Sequence, residues 1–215
     1  MRGALMCMLL LACPQDKTLS HVDEVVDSAP PISYFVPVLY PDEVAEGTIL
    51  FSDNMGWGSQ RLVEVDREGR VVWSYDIPSK WTKMTVVLDV SRLKSGNTLF
   101  SVDAVGVFEV NPEGDLVWSM EMLEASHDVD RLANGNTLVV DGFAAHGEKH
   151  VTEYSPDGEV VWSFDGAALD YAPLNEVKNE GWLHVPGAER LEDGTTMVTV
   201  RNLNRVIAVK EDGTL

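Results

Sequence analysis

The body of this chain has no cysteine: both of its cysteines, Cys7 and Cys13, stand within the first thirteen positions. A disulfide framework and a cysteine-based metal site are therefore excluded for everything that follows them. Basic residues are scarce as well. Sixteen Lys and Arg stand against 35 Asp and Glu, giving a formal net charge of −19 and a pI near 4.4. That balance argues against a nucleic-acid partner, whose affinity comes mostly from Lys and Arg on phosphates. It argues equally against a polybasic membrane-surface site. Any anionic ligand has to be held by a local basic cluster working against the global field. Halophilic adaptation would produce the same acidity. Helical periodicity is nearly absent, the exception being a weak stretch around 166–181. No glycine-rich phosphate loop, serine nucleophile elbow or zinc signature occurs. No metal or cofactor is called for. What remains is a globular composition, 45% hydrophobic over 215 residues, sufficient for a sizeable core.

The N-terminus is organised differently. Met1–Cys13 (MRGALMCMLLLAC) has a basic start and an apolar run too short for the roughly 20 residues that span a bilayer. Leu10-Leu11-Ala12-Cys13 resembles a bacterial lipobox, in which the cysteine is lipidated. The expectation is an export signal over residues 1–13 and lipidation at Cys13. An acidic, proline-containing tether follows over 14–40, with His21 in it. The protein is then exported, a periplasmic or cell-envelope lipoprotein that meets the membrane only through its N-terminal lipid anchor.

From residue 41 onward the chain repeats. Glu64–Asp76 (EVDREGRVVWSYD), Glu109–Glu121 (EVNPEGDLVWSME) and Glu153–Asp165 (EYSPDGEVVWSFD) align, and a fourth copy begins at Ala208. Between them recur EGTILF, SGNTLF, NGNTLV and DGTTMV, starting at Glu46, Ser95, Asn134 and Asp193. The apolar runs are short, β-branched and bounded by turn residues. In Asn111-Pro112-Glu113-Gly114 and Ser155-Pro156-Asp157-Gly158, proline pre-sets its φ and glycine supplies the positive φ that re-enters a hairpin. Trp73, Trp118 and Trp162 recur at this period and read as packing residues between neighbouring units. Several short strands per period of about 40–50 residues indicate an all-β fold, a β-propeller of four-stranded antiparallel blades. About four blades are expected over 41–215. A ring must close to bury its edges. Either residues 33–40 return to complete the last blade or further blades follow, and the second is the expectation.

The repeat permits an internal comparison. Leu88-Asp89-Val90-Ser91-Arg92-Leu93 corresponds to His127-Asp128-Val129-Asp130-Arg131-Leu132. Asp, Val, Arg and Leu recur and read as structural, whereas His127 departs from its repeat. His184 stands two residues further upstream of the Arg190-Leu191 pair, and Arg201 interrupts the apolar run MVTVRNLNRVIAV as part of an expected strand. An arginine there has to be paired or to face a polar cavity. Arginine offers a planar fork to sulfate or phosphate, and histidine serves as nucleophile or general acid/base near neutral pH. Each also has a plain structural reading, a hydrogen-bonded histidine at a strand start and an arginine paired with a carboxylate. His146 and His150, in the polar connection DGFAAHGEKH, read as surface residues.

Ser126–Val140 (SHDVDRLANGNTLVV) and Gly181–Val209 (GWLHVPGAERLEDGTTMVTVRNLNRVIAV) resemble the arylsulfotransferase family. Its pattern is His-His-Asp before an Asn-Gly-Asn turn, then Trp-x-His-x-Asn, then a strand ending Ser-x-Arg-Asn. The resemblance implies a six-bladed propeller that passes a sulfuryl group from an aryl sulfate to an enzyme histidine and then to a phenol. It implies catalytic roles for His127, His184 and Arg201, and substrate contacts for Trp182 and Asn202. Ser126 and Pro186 depart from the pattern, standing where the family has His and Asn. The family's nucleophilic histidine falls in a later blade, past Leu215, so no nucleophile is expected within this chain. The alternative is a non-catalytic propeller lipoprotein acting as a binding or scaffold module at the envelope. A quinone-dependent propeller dehydrogenase shares the fold, but its cofactor-stacking tryptophan and paired carboxylates are not found.

Overall fold

Alternation of short β-branched runs with Gly, Pro and Asn turns builds antiparallel sheets. The computed structural model describes residues 45–55, 59–82, 85–122, 124–169 and 181–215. The export signal and tether expected over residues 1–40 lie outside these, as does most of the weakly periodic stretch 166–181. All described residues fall in one unit, Tyr34–Leu215.

Four sheets follow one another along the chain. The first orders β1 (Thr48–Asp53), β2 (Arg61–Asp66) and β3 (Val71–Asp76). The second orders β4 (Val87–Arg92), β5 (Thr98–Val102), β6 (Gly106–Val110) and β7 (Leu116–Glu121). The third orders β8 (Asp128–Arg131), β9 (Thr137–Val140), β10 (Val151–Tyr154) and β11 (Val160–Phe164). The fourth orders β12 (Gly187–Arg190), β13 (Thr196–Val200) and β14 (Arg205–Val209). Each strand pairs antiparallel with the next, and β4 adjoins both β1 and β8, while β8 adjoins β12. This is the propeller arrangement, with the first strand of each blade innermost.

The turns behave as their residues demand. Gly114, Gly135 and Gly158 take φ of +90°, +88° and +86° in the hairpin turns. Between blades the packing is apolar. Phe100 and Phe108 are fully buried with rings 5.6 Å apart, and Phe108 stacks on Trp81 at 4.0 Å. Each such side chain removed from water stabilises the fold by about 1.5–3 kcal/mol.

One junction recurs at every blade boundary. A bulge follows Glu64 in β2 and Glu109 in β6, and another follows Glu153 in β10; these residues lie opposite Trp73, Trp118 and Trp162. Arg92, Arg131 and Arg190, each from the inner strand of the next blade, pair with these glutamates at 2.5, 3.0 and 2.9 Å. Their guanidinium groups lie 4.6, 4.3 and 4.9 Å from the centroids of the three tryptophan rings. The indole N–H groups donate to Pro112 O, Pro156 O and Glu211 O of the following blade. Trp and Arg therefore recur because each junction needs a cation sandwiched between a carboxylate and an aromatic face. The recurring aspartates also bridge blades: Asp89 accepts from Val129 N at 3.3 Å and Asp128 from Ala188 N at 2.8 Å.

Candidate active site

His127 immediately precedes β8. Ser126 anchors it: Ser126 N donates to Val140 O at 3.1 Å, and Ser101 Oγ from the preceding blade donates to Ser126 O at 2.9 Å. The loop after β9 closes against the ring. A side chain at Gly142 would overlap His127 Nδ1 and stand 2.6 Å from Cε1, so the imidazole occupies the room that glycine leaves. Phe143 follows, 42% exposed, its ring edge-on to His127 at 4.7 Å.

His184 arrives on a second segment. Gly181 packs so closely on this loop that a Cβ there would come within 2.7 Å of the Phe143 carbonyl carbon, and Trp182 N donates to Ala144 O at 2.9 Å. Leu183 and Val185 are buried on either side. His184 itself takes the left-handed conformation, φ +48°, at a cost on the order of 1–3 kcal/mol. Two bonds hold this corner: Arg201 N donates to His184 O and Asn202 N to Leu183 O.

Arg201 was expected within a strand. Instead β13 ends at Val200, and Arg201–Leu203 forms a single 3-10 turn closed by Asn204 at φ +51°. The apolar run hides this break because Val200 precedes the turn, Leu203 lies within it and Val206-Ile207 resume soon after. The turn leaves Arg201 exposed at the end of the strand and brings its Nη1 to 3.1 Å from His184 Nε2. The His127 and His184 rings lie 4.9 Å apart, with planes at 81°, and Phe143 lies 5.7 Å from His184. The three residues singled out for chemistry thus meet in one place.

Guanidinium nitrogens only donate, so His184 Nε2 accepts, and that ring is neutral with its proton on Nδ1. Burial above all, then the neighbouring His184, holds the His127 imidazole below its usual range; Arg201 adds to this and Asp103 opposes it. The lowered pKa of His127 favours its neutral form, and the Arg201 guanidinium supplies the positive charge an oxyanion needs. On the adjoining inner strands burial raises the carboxyl groups of Asp89 and Asp130, and takes Asp128 up to about 7.

Trp182 and Asn202 sit behind this group. Trp182 is 6% exposed, between His146 at 4.4 Å and His150 at 5.9 Å, and Asn202 Nδ2 donates to Trp182 O at 3.0 Å. His146 is exposed as expected, but His150 is not a surface residue: it is fully buried. His150 N donates to Phe164 O, and Asp141 N donates to His150 O, which draws the ring under Trp182. Among the described residues no group of three His, Cys, Asp or Glu is placed to hold a metal ion.

The arylsulfotransferase (ASST) family matches residues 40–215. The chain belongs to the arylsulfotransferase family. No curated protein matches it in sequence. Among solved structures it is similar to a protein of unknown function from Bacteroides caccae, 16% identical over 73% of this chain and 58% of that one, with a TM-score of 0.50. It is also similar to streptogramin B lyase, 11% identical over 78% of this chain and 57% of that one, again with a TM-score of 0.50. At such identities the likeness speaks for the propeller fold alone. The chain spans less than three-fifths of the length of either structure.

Ser126, Gly142, Phe143 and Gly181 complete this cluster and carry no chemical signal of their own in the sequence. Ser126 stands out only as a departure from the family pattern. The other three have no signal in one sequence, because their roles arise from two loops meeting.

Proposed function

We propose that the protein is an aryl-sulfate sulfotransferase in which Arg201, His184 and His127 bind the sulfuryl group and handle the proton. The observation that carries this reading is the convergence of one guanidinium and two imidazoles, with Arg201 Nη1 at 3.1 Å from His184 Nε2 and the rings 4.9 Å apart. A sulfate ester carries its charge on the sulfonate oxygens, and that charge spreads as the ester bond lengthens. Arg201 offers those oxygens a fixed donor fork in a chain that otherwise repels anions, and such preorganisation is often the largest catalytic contribution. Phe143 presents an exposed aromatic face beside both imidazoles, suited to the ring of an aryl ester or phenol.

The transfer balances in two steps. The aryl–O to S bond breaks as an S–N bond forms to an enzyme histidine, and the phenolate that departs takes its proton from water. The acceptor phenol then gives its proton to an imidazole while its oxygen forms the new S–O bond and the S–N bond breaks. The neutral state of His127 suits the second step, where a base is needed. By the family resemblance, the histidine that carries the sulfuryl group belongs to a later blade. Export with lipidation at Cys13 belongs to the same proposal, since it would place the enzyme where no nucleotide sulfate donor is required.

The test is to incubate the complete gene product with a chromogenic aryl sulfate and a phenol acceptor. Acceptor sulfate should accumulate in step with phenolate release, and without acceptor the release should stop after a burst of about one turnover per enzyme. Binding of the aryl sulfate without any transfer would overturn the enzyme reading and favour a binding module at the envelope.

A further inference from the structure

Three polar atoms converge on the hydroxyl of Ser126, a residue 2% exposed. Gly142 N donates to Oγ at 2.8 Å. Val140 O lies 3.2 Å away and can only accept. His127 Nδ1 lies 3.0 Å away and can do either. A serine hydroxyl has one proton to give and two lone pairs to fill. One lone pair goes to Gly142 N–H and the proton goes to Val140 O, which leaves one lone pair for an Nδ1–H of His127. The rival arrangement gives the hydroxyl proton to Nδ1. It makes one hydrogen bond fewer, and at this burial no solvent replaces it.

The geometry assigns Ser126 as the positioning residue that holds His127 in its Nδ1–H tautomer, so that Nε2 keeps its lone pair and is the proton acceptor of the site. An imidazole's two nitrogens point in diverging directions, so fixing Nδ1 on Ser126 turns Nε2 away from the anchoring strand. The two histidines are then unequal. Both carry their proton on Nδ1, but the Nε2 of His184 is engaged by Arg201, whereas that of His127 has no hydrogen-bond partner among the described residues. Gly142 serves the same end twice, through its N–H on Oγ and through the missing side chain that leaves room for the ring. Ser126 stands where the family pattern has the first histidine of its pair, and here a hydroxyl sets the tautomer. The tautomer follows from geometry alone; its use as the base for the acceptor phenol rests on the function proposed above.

The experiment uses the complete protein labelled with ¹⁵N-histidine. Long-range ¹H–¹⁵N spectra at neutral pH distinguish a protonated Nδ1 from a protonated Nε2, and the His127 signals are identified by their loss in His127→Gln. Wild-type His127 should show a protonated Nδ1 and a bare Nε2. In Ser126→Ala the pattern should shift toward the Nε2–H form favoured by imidazole in water, and the midpoint of the His127 titration should move. Ser126→Thr, which keeps the hydroxyl, should restore the wild-type pattern. A bare Nδ1 in the wild-type spectrum overturns the assignment without recourse to any variant. An unchanged pattern in Ser126→Ala overturns the role of Ser126. In the transfer assay Ser126→Ala should lower kcat at least tenfold with KM nearly unchanged and shift the acidic limb of the pH profile. Absence of transfer by the wild type would defeat the function proposed above while leaving the spectral result standing.

Discussion

His150 gives the sharpest quantitative expectation. Its ring is fully buried, and neither nitrogen has a hydrogen-bond partner among the described residues. Burial lowers its pKa from 6.5 to about 4; His146 adds to the effect, and Asp165 and Glu148 pull the other way. Folding therefore makes this group a weaker base. Between those two values the unfolded chain binds a proton that the folded protein refuses, so stability falls as pH falls through the window. The slope approaches about 1.4 kcal/mol per pH unit, and the full window amounts to about 3 kcal/mol. The perturbation is His150→Leu, which keeps an apolar group of similar size and removes the titration. Urea unfolding of both proteins at about pH 7, 6 and 5 stays above the pI near 4.4. The offset at pH 7 reports packing. The change with pH isolates His150, because every other titration is common to both proteins. From pH 7 to pH 5 the wild type should lose about 2 kcal/mol relative to the variant. A difference that stays constant across this range would show that His150 is solvated or paired, and would refute the reasoning. Since His150 lies under Trp182, whose segment carries His184, the same acid titration should disturb the site.

Other expectations follow from single contacts. Arg131→Ala strands Glu109 and uncovers Trp118, and should cost about 2–4 kcal/mol in urea unfolding, with Arg131→Lys falling between. Gly142→Ala forces His127 out of its place while leaving the strands intact, so transfer should drop at least tenfold with an unchanged far-UV circular dichroism spectrum; full activity would mean that the ring position is immaterial. Phe143→Ala should raise KM for aryl sulfates roughly two- to tenfold, the loss of about 0.5–1.5 kcal/mol of ring contact, and should spare any turnover of alkyl sulfates.

Much of the architecture is visible in the residues themselves. The turn strings and the repeated Glu, Trp and Arg announce the blades and their junctions, because each junction is built locally and identically. His127 stands out by breaking its repeat, and Arg201 by being charged in an apolar run. What escapes notice depends on distant segments meeting. Gly142 and Phe143 gain their roles only where Gly181 abuts their loop. His150 hides in a polar string, DGFAAHGEKH, yet lies buried because its backbone bridges Asp141 and Phe164. The 3-10 turn at Arg201 is masked by hydrophobic neighbours that fit a strand equally well.

The most direct measurement is the rate of sulfuryl transfer from a chromogenic aryl sulfate to a phenol by the complete protein and by its Arg201→Ala variant. If this guanidinium holds the sulfonate oxygens, losing it should cost at least a hundredfold in kcat/KM, about 3 kcal/mol of transition-state binding, with the fold unchanged. Turnover of the variant at the wild-type rate would contradict the account.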